Sequence, residues 1–145
     1  MPMFLGEYEH SVDDKGRLAI PARFRADLRD GLFLTRGIDR CLMILAPDDW
    51  RRLAERISGL PMLQADARQL QRHFFAGATQ LIPDRLGRVL IPAYLRDYAG
   101  LRGEVVVAGV LSRIEIWDRD TWSSQRSDAE QRTIDLAEHL AGTGL

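Results

Sequence analysis

The chain has 145 residues, 46% hydrophobic and 28% charged, with a net charge of −1: room for one globular domain or two small associated halves, and no global basic field for a polyanion. No apolar run approaches the about 18 residues of a membrane span, and the start, Met1-Pro2-Met3-Phe4-Leu5-Gly6-Glu7, lacks the basic and long apolar regions of a secretory signal. The single Cys41 cannot form an internal disulfide, so a cytoplasmic location is the expectation.

In chain order, residues 4–10 read as a strand, 12–16 as a turn and 18–20 as a short buried strand. Pro21 ends that strand and suits the first turn of a helix over 21–30, which Gly31 stops. Strands at 32–35 and 42–45 are joined through residues 37–40 as a hairpin-like pair. Pro47-Asp48-Asp49 opens a helix with acid where the macrodipole favours it, and Trp50, Leu53, Ala54 and Ile57 form its apolar face. Gly59-Leu60-Pro61 breaks it, and a further helix is predicted over 64–75. The order then replays: a strand at 78–82, a turn, a strand at 89–91, a helix at 92–99 ended by Gly100, strands at 104–108 and 113–117, and a helix opened by Asp120-Thr121-Trp122. After Asp128 a last helix is expected from Ile134, Leu136, Ala137 and Leu140, and residues 141–145 should fray.

The replay has a sharp centre. Asp13-Asp14-Lys15-Gly16-Arg17-Leu18-Ala19-Ile20-Pro21-Ala22-Arg23-Phe24-Arg25 returns as Asp84-Arg85-Leu86-Gly87-Arg88-Val89-Leu90-Ile91-Pro92-Ala93-Tyr94-Leu95-Arg96. Seven of the 13 positions are identical, where chance would give about one. Further on, Ile44 matches Ile116, Asp48 matches Asp120 and Trp50 matches Trp122, so whole halves are duplicated. In each centre the Asp carboxylate can cap its own turn and Gly tolerates positive φ, which aims the following Arg17 or Arg88 from an exposed turn. One copy alone reads as a loop salt bridge. Two copies that keep Asp, Gly and Arg while their neighbours vary favour a working site.

Other chemistries find no support. His10, His73 and His139 lack partners at ligand spacing, so no metal is expected. Cys41 reads as a small core residue, and Trp50 and Trp122 as core anchors rather than base-stacking platforms. No nucleophile elbow, phosphate loop or dinucleotide fingerprint is present, and Asp13-Asp14 is not kept as a carboxylate pair in the second copy. No catalytic residue, cofactor or small-molecule substrate is therefore expected.

The doubled Asp-x-x-Gly-Arg motif followed by Ile-Pro-Ala resembles the AbrB-like DNA-binding domains, and two such units in one chain resemble the MraZ family of bacterial regulators, with Met3 as an alternative start to Met1. The resemblance implies an α+β fold, a duplicated swapped-hairpin β-barrel with flanking helices. It places a first unit at 3–58, a connecting helix at 59–77, a second unit at 78–128 and a C-terminal helix and tail at 129–145. It also implies a ring-like homo-oligomer in the cytoplasm and nucleoid that binds double-stranded DNA, at repeated boxes in the promoter of its own division and cell-wall gene cluster. Lys15, Arg17, Arg25, Arg85, Arg88 and Arg96 would then contact DNA, with Asp13, Gly16, Asp84 and Gly87 orienting the turns. The alternatives are an antitoxin-type module and a structural assembly protein whose arginine turns serve subunit contacts.

Overall fold

A computed structural model describes residues 2–144. The first half runs β1 (Phe4–Ser11), β2 (Arg17–Ala19), a 3-10 turn (Ala22–Phe24), α1 (Arg25–Leu28), β3 (Leu32–Arg36), β4 (Leu42–Leu45), α2 (Pro47–Ser58), α3 (Ala65–Gln71) and a π-helical turn (Arg72–Ala76). The second runs β5 (Thr79–Leu81), β6 (Arg88–Leu90), α4 (Ala93–Ala99), β7 (Glu104–Leu111), β8 (Ile114–Asp118), α5 (Arg119–Gln131) and α6 (Thr133–Leu140), closing on a 3-10 turn (Ala141–Thr143). Leu145 lies outside the described residues.

The strands form an antiparallel six-stranded sheet in the order β1-β7-β8-β4-β3-β5 and a separate two-stranded ribbon of β2 and β6. The six-strand order is a palindrome once each element is matched to its copy. The first strand of each half pairs with the third strand of the other, and β4 meets β8 at the centre. The pseudo-two-fold axis thus passes between β4 and β8 and through the ribbon.

The residues dictate which faces are buried. Leu42, Ile44, Ile114, Ile116, Val105 and Val107 face one core with Leu18, Ile20, Val89 and Ile91. Met43 and Leu45, the alternate residues of β4, face a second cluster with Phe74, Trp50, Leu53, Ile57 and Leu70. A strand covered on both faces reads as an unbroken apolar run, which is why 42–45 shows no alternation. Tyr98 of α4 donates to the Gly37 carbonyl at 2.8 Å, tying the second half to the first half's hairpin.

Four expectations need correction. The fold is α+β, but the sheet is open and no barrel closes: β1 and β5 are its edges, and the ribbon's ladder reaches it only through a Val12–Leu18 bridge among the described residues. The helix expected over 21–30 is a 3-10 turn followed by a single α turn. The helix over 64–75 widens into the π turn because Thr35 Oγ1 donates to the Phe74 carbonyl at 2.6 Å and Arg36 Nη1 to the His73 carbonyl at 3.2 Å. The strand expected to stop at 108 continues to Leu111, since β1 pairs with it along its whole length.

Candidate nucleic-acid interface

The two motif turns have the same construction. Asp13 Oδ1 accepts from the amides of Lys15 and Arg17, both at 2.9 Å, and Oδ2 accepts from Arg17 Nε at 2.8 Å. Asp84 Oδ1 accepts from the amides of Leu86 and Arg88, and Oδ2 from Arg88 Nε, all at 2.9 Å. The turns close as Gly16 donates to the Asp13 carbonyl at 3.0 Å and Gly87 to the Asp84 carbonyl at 2.9 Å, with φ of +86° and +75°. The amide of the signature arginine, with its side chain and the amide two residues after the Asp, holds both carboxyls below the usual carboxylate range. The salt bridge anticipated from sequence exists, but it uses Nε. The terminal nitrogens of Arg17 and Arg88 make no hydrogen bond among the described residues.

The ribbon brings the two turns together. Arg17 pairs with Leu90, Leu18 with Val89 and Ala19 with Arg88. Leu18 and Val89 are buried, so Arg17, Ala19, Arg88 and Leu90 share the outward face. The ends of the ribbon are locked crosswise: Ile20 donates to the Gly87 carbonyl and Ile91 to the Gly16 carbonyl, both at 2.8 Å.

Arg25 and Arg96 have a role the sequence did not disclose. Arg25 Nε donates to the Ile20 carbonyl at 2.7 Å and Arg96 Nε to the Ile91 carbonyl at 3.0 Å. Each guanidinium lies behind the turn of the opposite half: a Cβ on Gly87 would lie 2.5 Å from Arg25 Nε, and one on Gly16 2.9 Å from Arg96 Cζ. A side chain at either position would have to displace that guanidinium, so each Gly serves this approach as well as its φ. Lys15 and Arg85 are exposed on the turn tips. Burial, then the charge of Arg25, lowers the pKa of His10 on β1.

The six cations Lys15, Arg17, Arg25, Arg85, Arg88 and Arg96 stand against the carboxylates of Asp13, Asp14 and Asp84. This local excess is invisible in the net charge of −1. Leu90 was missed by sequence reasoning. Its signal was the replacement of Ala19 by Leu in the second copy, but its place beside Arg17 needs the cross-strand register.

A family model described as "MraZ protein, putative antitoxin-like" matches residues 3–73 and again 74–142. The chain belongs to the MraZ family. The two matches bear out the duplication and the resemblance carried by the doubled motif, and each MraZ unit contributes one turn and one strand to the ribbon. MraZ is a regulator-type family. Among the described residues no cluster of His, Cys, Asp or Glu is arranged to hold a metal, and no helix is long and apolar enough to cross a membrane. Cys41 is buried, and burial, then the negative charge of Glu115, pushes its thiol up to about 12, far from a nucleophile.

Proposed function

We propose that the protein is a sequence-specific regulator of transcription, binding double-stranded DNA with the outward face of the β2–β6 ribbon. One observation carries this reading: Arg17 and Arg88 stand on one face of a two-stranded ribbon, each fixed through Nε with its terminal nitrogens turned to no acceptor among the described residues. A major groove about 12 Å wide admits such a ribbon, and an Arg fork matches guanine O6 and N7. Arg17 and Arg88 are diagonal neighbours about 7–8 Å apart at the backbone, roughly two base-pair rises.

Lys15 and Arg85 on the tips, and the terminal nitrogens of Arg25 and Arg96, supply phosphate contacts that position the ribbon without reading sequence. Asp13, Gly16, Asp84 and Gly87 orient the turns. Unit bounds of 3–58 and 78–128, joined by 59–77 and followed by 129–145, keep each turn with its own strands and helices. The rest of the reading follows the family resemblance: repeated boxes in the promoter of its own division and cell-wall gene cluster, a ring-like homo-oligomer, and a cytoplasmic, nucleoid location. Several ribbons engaging several boxes would raise the affinity of a near-neutral chain through effective concentration.

The test is a binding isotherm on the protein's own upstream DNA. Arg17→Ala and Arg88→Ala should each retain fold and native mass while losing about 1–3 kcal/mol per engaged ribbon. If both correctly assembled variants bind like wild type, the ribbon is not the reading head. The family description favours a second reading as an antitoxin-like module; a toxin that co-purifies with the chain and needs neither arginine would support it.

A further inference from the structure

We propose that Leu90 is a specificity residue of the ribbon, packing on the C5-methyl group of a thymine beside the base read by Arg17. This rests on the DNA reading above and adds a base that the arginines do not select. Leu90 is directly opposite Arg17 in the β2–β6 register, which places their Cβ atoms about 4.5–5.5 Å apart. It is on the outward face, and 56% of its surface is exposed, although a Leu there gains nothing for the core. Leu86 on the second turn, in the place of Lys15, is likewise 62% exposed.

The halves therefore differ where the ribbon meets its partner. The rung across the axis pairs Arg88 with Ala19, whose methyl reaches less far than an isobutyl group. In unmodified DNA the thymine methyl is the apolar group that the major groove presents, and apolar side chains recognise it by contact. A subunit contact is the competing use of an exposed Leu. It is disfavoured because covering Leu90 with protein would also desolvate the terminal nitrogens of Arg17, which have no acceptor among the described residues. The local excess of cations fits a polyanion instead.

The experiment uses the intact chain and a duplex that it selects from a random pool. Each thymine is replaced in turn by deoxyuridine, which removes only the methyl. Wild type should lose about fourfold in affinity per engaged ribbon at one position, the worth of one buried methyl. Leu90→Ala should start from a similar loss and be indifferent to deoxyuridine at that position. Leu63→Ala, an exposed aliphatic on the loop after α2, should match wild type throughout. The proposal is overturned if wild type is indifferent to every deoxyuridine or if Leu90→Ala keeps the wild-type pattern. It is equally overturned if Leu90→Ala weakens all sequences alike and changes the native mass, the result of a subunit contact. Arg17→Ala separates the two levels: a specific duplex that needs Arg17 but shows no methyl effect sinks the Leu90 inference alone, whereas absence of any specific duplex sinks both.

Discussion

Asp13 and Asp84 each satisfy three donors with two oxygens, which makes the ionised carboxylate part of the turn. Their pKa values in the folded chain lie below the unfolded value of 3.8. The stability they contribute is therefore fully present above pH 3.8 and is lost as pH falls through the lowered values. Thermal melting from pH 6 to pH 2 should show a smaller acid loss in Asp13→Asn and Asp84→Asn than in wild type, confined to the region below about pH 4. The turn glycines make a second residue-scale prediction, with Gly100 at the end of α4 as the reference. Gly100 has φ +65° and open space around it, so Gly100→Ala should cost only the left-handed backbone penalty, about 1–2 kcal/mol. Gly87→Ala should cost more, because its Cβ would strike the Arg25 guanidinium. Adding Arg25→Ala to Gly87→Ala should return part of that difference in a denaturant titration, and strict additivity would show that Arg25 does not brace the turn.

At the scale of elements, Trp50 and Trp122 occupy matching places at the starts of α2 and α5 but pack differently. Trp50 stacks on Phe33 with centroids 4.9 Å apart and planes 6° apart, and meets Phe75 edge-on. Trp122 lies tilted on Trp117 at 5.7 Å, with its Nε1 3.4 Å from Glu7. Both are half-buried: Trp50 packs on the second core cluster as a core anchor should, whereas Trp122 belongs to neither cluster and the buried Trp of the second half is Trp117. Trp50→Ala should cost about 2–3 kcal/mol and Trp122→Ala about 1 kcal/mol in chemical denaturation, both below or at the edge of the range for full burial. Equal costs would mean that the two helices are equivalent after all. This asymmetry shows what the sequence can carry. Turn chemistry and apolar period were legible because each depends on residues close along the chain, and the duplicated order because the two copies keep the same residues. The π turn was not, because it is made by Thr35 and Arg36 reaching across from β3. Nor was the Arg17–Leu90 rung, since pairing of strands about half a chain apart leaves no local signal. The closed barrel came with the resemblance, and the chain's open edges replace it.

At the scale of the whole molecule, β1 and β5 leave unpaired backbone on both sides of the sheet, a template for association unless another surface covers it. Light scattering at micromolar concentration should therefore give a mass that is a multiple of the chain's, and a clean monomer would remove the oligomer from the proposed function. The palindromic strand order has a separate consequence. Neither half can complete its own sheet, because β1 requires β7 and β5 requires β3. A fragment of residues 74–144 should pair with a second copy of itself, so it should run at no less than twice its own mass, and its melting temperature should rise with concentration. The full protein is then built as a pseudo-dimer, two unlike halves on one peptide chain. In a true homodimer every substitution appears twice, so the two sides of the axis cannot differ. A tethered pair is free of that rule: Lys15 in one half has Leu86 as its counterpart in the other, and Ala19 has Leu90. Covalent joining thus turns a surface with no left or right into one with a direction.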